Sequence, residues 1–192
     1  MVAFGIGYGI AWLIWLYGDT EKYQARLRTV KEYDGQWFML ALVIFQWTVM
    51  HMNLYPGIYK NKIMRRDDGN LRSNMFIYKL ATQQGDEGSA IVMHEDGDLG
   101  QYNRANRSIY HFMENSLSFV AALPLSFFLF AFPTFVALCF FCLGRIIYQI
   151  GYTAKGYGGH GIGFVMDRFA TMTIAGLMIL AYQKSFSIDT TI

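Results

Sequence analysis

The sequence predicts an all-α integral membrane protein: a four-helix transmembrane bundle with an additional N-terminal hydrophobic helix. Two observations predict it. Hydrophobic residues fill 54% of the 192 positions and charged residues only 16%, a balance that a soluble domain of this length rarely shows. The apolar residues also fall in blocks, with nearly all the charge between them, which is how a chain that crosses a bilayer repeatedly must be written.

Five blocks follow one another along the chain. Val2–Tyr17 is short and rich in glycine, and no basic residue precedes its apolar run. It therefore reads as an added membrane helix, with an uncleaved targeting segment as the alternative. Blocks 37–55, 116–132, 134–150 and 164–182 extend through polar or aromatic ends toward the roughly 20 residues that a bilayer needs. The expected organisation is an extra helix and mixed-charge linker over 1–35, then a four-helix membrane domain over 36–192 with a long loop at 56–102. Lys60, Lys62, Arg65 and Arg66 open that loop, so the positive-inside tendency puts it on the cytoplasmic or matrix-like side. Within it, apolar stretches at 75–80 and 90–93 flank Gln83-Gln84-Gly85-Asp86-Glu87-Gly88, the pattern of a small hairpin with a polar turn. Pro133 separates two blocks where a tight helix-to-helix turn is needed.

Composition and spacing also exclude some functions. A net charge of +2 without a basic run gives no footing for nucleic acid. Cys139 and Cys142, three residues apart inside an apolar block, have no second pair of soft ligands to complete a site. They read as small buried hydrophobes, and no metal is expected.

The informative residues are ionisable side chains where lipid would surround them. Each costs several kcal/mol unless it faces the bundle interior and finds a partner. Arg107, His111 and Glu114 are spaced to share one face of a helix, and Arg145, Tyr148 and Tyr152 form a second stripe. Helices joined by a tight turn are antiparallel neighbours, so Glu114 is expected to meet Arg145. That pair is either a buried lock on helix register or one wall of a polar cleft for a zwitterionic or acidic ligand.

The run Asn103-Arg104-Ala105-Asn106-Arg107-Ser108-Ile109-Tyr110-His111-Phe112-Met113-Glu114-Asn115 resembles the signature of the MAPEG family, membrane-associated proteins in eicosanoid and glutathione metabolism. Further on, Gly144-Arg145-Ile146-Ile147-Tyr148-Gln149-Ile150-Gly151-Tyr152 and Gly158-Gly159-His160-Gly161-Ile162-Gly163-Phe164 are similar to the family's next two motifs. The resemblance covers about residues 36–182. It implies a homotrimer of four-helix subunits with glutathione held between them, and it assigns Arg107, His111, Glu114, Arg145, Tyr148 and Tyr152 to the binding of that tripeptide. It implies a glutathione transferase or peroxidase acting on lipophilic electrophiles.

Two departures turn the expectation away from catalysis. His111 stands where the family has asparagine, and His160 stands where it has the arginine that stabilises a thiolate. Thiol chemistry needs the anion, and an imidazole is mostly uncharged at neutral pH. His160 is thus the candidate catalytic residue, but a weakened one. The N-terminal helix, the linker and the long loop add surface that a compact catalytic trimer does not need. The favoured expectation is therefore a degenerate, non-catalytic member serving as an accessory subunit among other membrane subunits. The expected setting is a respiratory-chain or ATP synthase assembly of the mitochondrial inner membrane, with the endoplasmic reticulum as alternative.

Overall fold

Four helices carry the long blocks: α3 (Gln36–Arg66), α4 (Gly97–Leu129), α5 (Ala131–Lys155) and α6 (Gly161–Ser185). Each is long and apolar enough to cross a bilayer. The computed structural model describes residues 2–66, 75–82 and 89–187, the side chains of residues 2–4, 65, 66, 82 and 89 excepted. Helix α3 lies against α4 and α5, and α6 closes the bundle against the same two helices. Aromatic residues fill the middle, where Phe119 and Phe141 stack at 4.1 Å among Leu123, Leu138 and Ile174.

Glycines set the tightest contact. At Gly163 on α6 an added Cβ would collide with the backbone N of Tyr148, and at Gly144 on α5 it would meet Met166 Cβ at 2.8 Å and Asp167 N at 3.0 Å. Both positions let the α5 and α6 backbones approach closely, as small residues do between membrane helices.

The turn between α4 and α5 is centred on Phe130, where φ is −136° and ψ is 58°. The expectation placed Pro133 in that turn, but it sits in the first turn of α5, where its missing N–H costs no helical bond. Ser126 and Thr134 hydroxyls strap the turn at 2.7 Å.

Three expectations about the polar segments need correction. The loop does not begin at Pro56, because α3 runs through that proline to Arg66. A proline inside a helix orphans the carbonyl four residues back. Here that carbonyl, Met52 O, accepts the Gln149 Nε2 donor of α5 at 3.0 Å, so the neighbouring helix stabilises the continuation. The loop also ends early, since α4 starts at Gly97 and carries the 103–115 run as helix. Third, the N-terminal linker is itself largely helical. After α1 (Val2–Tyr17) comes α2 (Thr20–Glu32), started by Asp19, whose carboxylate accepts the Lys22 N–H at 3.1 Å.

The hairpin is present. Strands β1 (Tyr78–Thr82) and β2 (Ser89–Met93) pair antiparallel, with Tyr78 opposite Met93 and Thr82 opposite Ser89. Its expected turn, 83–88, lies outside the described residues, as do the side chains of Arg65 and Arg66. A two-stranded sheet is marginal alone, and this one is clamped to α4. Asn103 donates to Ile77 O and His94 O, each at 2.7 Å, and accepts the Ile77 N–H at 2.8 Å. Asn103→Ala is expected to lose about 1–3 kcal/mol, and hydrogen exchange should show the Ile77 and His94 amides opening first.

Lys79 Nζ and Asp96 Oδ2, 2.8 Å apart, hold the same junction. That lysine keeps the Asp96 carboxyl below its ordinary value of 3.8. A depressed carboxylate contributes its stability above the unfolded value and loses it as pH falls through the folded one. Hairpin protection should therefore hold from neutrality down to about pH 4 and weaken below, and Asp96→Asn should remove that dependence.

Candidate functional site

Helices α4, α5 and α6 bring the polar cluster together near the end of the bundle that carries the hairpin. Arg145 projects inward from α5 with its side chain 0% exposed, and its Nη1 donates to Asp167 Oδ2 at 2.9 Å. Asp167, on α6 and equally buried, also accepts from Arg168 Nη2 at 3.2 Å. Arg168 in turn donates to Asn115 Oδ1 of α4 at 3.1 Å. One carboxylate thus serves two guanidiniums and ties three helices. In a medium without water each charge is affordable only through such partners.

Aromatic rings cover the cation. The Arg145 guanidinium lies 4.8 Å from the Tyr148 ring and 5.4 Å from Phe112. His111 stacks on Tyr148 with centroids 4.8 Å apart and planes at 4°, and its Nδ1 is 3.2 Å from Arg145 Nη1. His160, at the start of α6, sits 4.9 Å from Tyr148 and 5.5 Å from Tyr152. Five of the residues picked out in the sequence therefore gather here: His111, Arg145, Tyr148, Tyr152 and His160.

Arg107 and Glu114 do not join them. They bond each other at 3.0 Å, two helical turns apart on the outer side of α4, with side chains 43% and 53% exposed. The expected Glu114–Arg145 pair is thus replaced by Asp167–Arg145. The reason is packing: Gly144 lets the α6 backbone come against α5 at Asp167, beside Arg145, and the carboxylate arrives from that helix. Asp167 and Arg168 escaped the sequence reading, although both are ionisable residues inside the 164–182 block, the same signal that singled out Arg145.

A short tether completes the site's edge. Arg104 Nε donates to Thr153 O of α5 at 3.1 Å, and its Nη1 donates to Glu95 O at 2.6 Å. It joins the foot of the hairpin to the exit of α5. The cysteines contribute nothing to this cluster: Cys139 and Cys142 are free thiols on the flank of α5 toward α3.

With the bundle and its cluster in view, the comparison with known families is decisive: the family model described as MAPEG family matches residues 38–180. The chain belongs to the MAPEG family. Membership rests on that match over most of the chain, and the helical bundle agrees with it. The matched span takes in the hairpin and the four membrane helices except the first residues of α3 and the last of α6, and leaves out α1 and α2. No curated protein and no solved structure matches the chain.

Proposed function

We propose that this MAPEG-family protein is a non-catalytic accessory subunit of a larger membrane assembly. One observation carries the reading: Arg145, which the resemblance would assign to a ligand, is fully buried and bonded to the protein's own Asp167. A guanidinium committed to an internal carboxylate and covered by Phe112 and Tyr148 fixes helix register, the role attested for buried polar pairs. His160 in place of a permanent cation points the same way. The exposed Arg107–Glu114 pair on a spanning helix asks for protein cover, and the apolar helix α1 outside the matched span adds surface on which a partner could pack. On the accessory reading that cover is other subunits, whereas further copies of the chain in a homotrimer would suit a catalytic member. The surplus surface supports contacts with further subunits; we place the assembly in the respiratory chain or ATP synthase of the mitochondrial inner membrane, with the endoplasmic reticulum as the alternative.

A second reading has its own support. Two guanidiniums share one carboxylate, which leaves a surplus positive charge next to the partly exposed His111, Tyr152 and His160. That suits an anion such as glutathione, and with it transferase or peroxidase chemistry.

One experiment separates the readings. Purified protein in detergent receives glutathione and an electrophile, and thiolate absorbance, conjugate and thermal stability are followed. The accessory reading expects no thiolate, no conjugate and no rise in melting temperature. A ligand held at about 100 times its Kd would add roughly 2.7 kcal/mol, so binding would register. Conjugate formation overturns the accessory reading. So does isolation from gently solubilised native membranes as a clean homotrimer, because the reading expects other subunits to co-purify.

A further inference from the structure

Helix α2 stands between two apolar helices. Before it, α1 is apolar on every side and carries no charge, so only a hydrocarbon or protein interior suits it. After it, α3 begins a membrane span at Gln36. The junctions are sharp. Asp34 adopts a φ of 54° between α2 and α3, while Thr20 Oγ1 donates back to Trp15 O at 2.9 Å and the Trp15 and Tyr23 rings lie 5.9 Å apart. At the other end Tyr33 stacks on Phe128 at 6.3 Å, pinning the helix to the membrane end of α4. With both ends held at one face, a helix of this charge can neither enter the bilayer nor leave it.

The residues of α2 are sorted for such a place. At 100° per residue, Tyr23, Leu27 and Val30 fall within about 60° of one another. Arg26 and Lys31 flank that apolar strip at roughly 70° on either side, and Lys22 lies at roughly 107°. Glu21 and Glu32 point away, both beyond about 150°. The other two acids are engaged at the helix ends, Asp19 with the Lys22 N–H and Asp34 with Gln36 Nε2 at 3.1 Å. Lys22, Arg26 and Lys31 are exposed, and a long basic side chain beside an apolar strip reaches the phosphate level of a bilayer.

We infer that α2 lies in the plane of the membrane face opposite the hairpin and binds anionic phospholipid phosphates through Lys22, Arg26 and Lys31. Nitroxide labels on the full chain, in a Cys139→Ala/Cys142→Ala background and phosphatidylcholine–phosphatidylglycerol vesicles, test the orientation. Labels at Tyr23, Leu27 and Val30 should be accessible to oxygen, and labels at Glu21, Ala25 and Glu32 to a water-soluble nickel chelate. Nickel access at all six positions overturns the in-plane placement. Native mass spectrometry with added phosphatidylglycerol or phosphatidylcholine tests the phosphate contact. Each of Lys22→Gln, Arg26→Gln and Lys31→Gln should lower the preference for phosphatidylglycerol about fivefold. An equal preference in wild type and the triple variant overturns the lipid assignment even where the labels place α2 in the plane.

Discussion

Asp167→Leu is expected to cost about 3–5 kcal/mol, the largest loss of any single change in the polar cluster, because it leaves Arg145 charged and buried without its carboxylate. Both side chains are 0% exposed, and Arg168 loses a partner in the same step. Thermal unfolding in detergent reads the effect. The double variant Arg145→Met/Asp167→Leu removes both charges and should recover most of the loss, since a buried pair replaced by apolar groups is close to neutral. Asp167→Asn should fall between, keeping an acceptor for Arg145 but no charge. A loss below about 1 kcal/mol in Asp167→Leu would place the pair at the level of a surface bridge and remove the lock on which the proposed function rests.

The second large effect is expected at the glycine seam. Gly163→Val puts a branched side chain where even a Cβ collides with the Tyr148 backbone and would lie 2.5 Å from Gly144 O. Overpacking of a tight interface costs about 1–3 kcal/mol, occasionally more, and backbone atoms cannot rotate aside. The change should therefore sit near 3 kcal/mol or above. It should also separate α5 from α6, so that Asp167 loses Arg145. Combining Gly163→Val with Asp167→Leu should then cost less than the two losses added, a coupling that a double-mutant cycle measures.

The two predictions show where the sequence was readable and where it was not. Arg145, His111, Tyr148 and Tyr152 stood out because polar side chains on apolar helices need a reason, His160 because it replaces the arginine of the family motif, and the five do assemble. Glu114 stood out by the same rule, yet it faces outward with Arg107. Spacing assigns a residue to a helix face but does not say which neighbour that face meets. Asp167 carried the same signal but belongs to neither recognised stripe, and the Gly144–Gly163 approach brings it to Arg145. Likewise, Pro56 reads as a helix end in isolation. Gln149, nearly a hundred residues away, supplies the bond that lets the helix continue.

By itself the sequence determined the membrane class, the four spanning helices, the hairpin and the family, because these depend on block length, alternation and local motifs that neighbouring residues fix together. Tertiary structure alone decided which carboxylate neutralises Arg145, how far α3 runs, and which way the outer face of α4 looks. The first depends on how closely α5 and α6 pack, which Gly144 and Gly163 set from different helices, and the second on the Gln149 bond to Met52 O; none of them is a property of one stretch of chain.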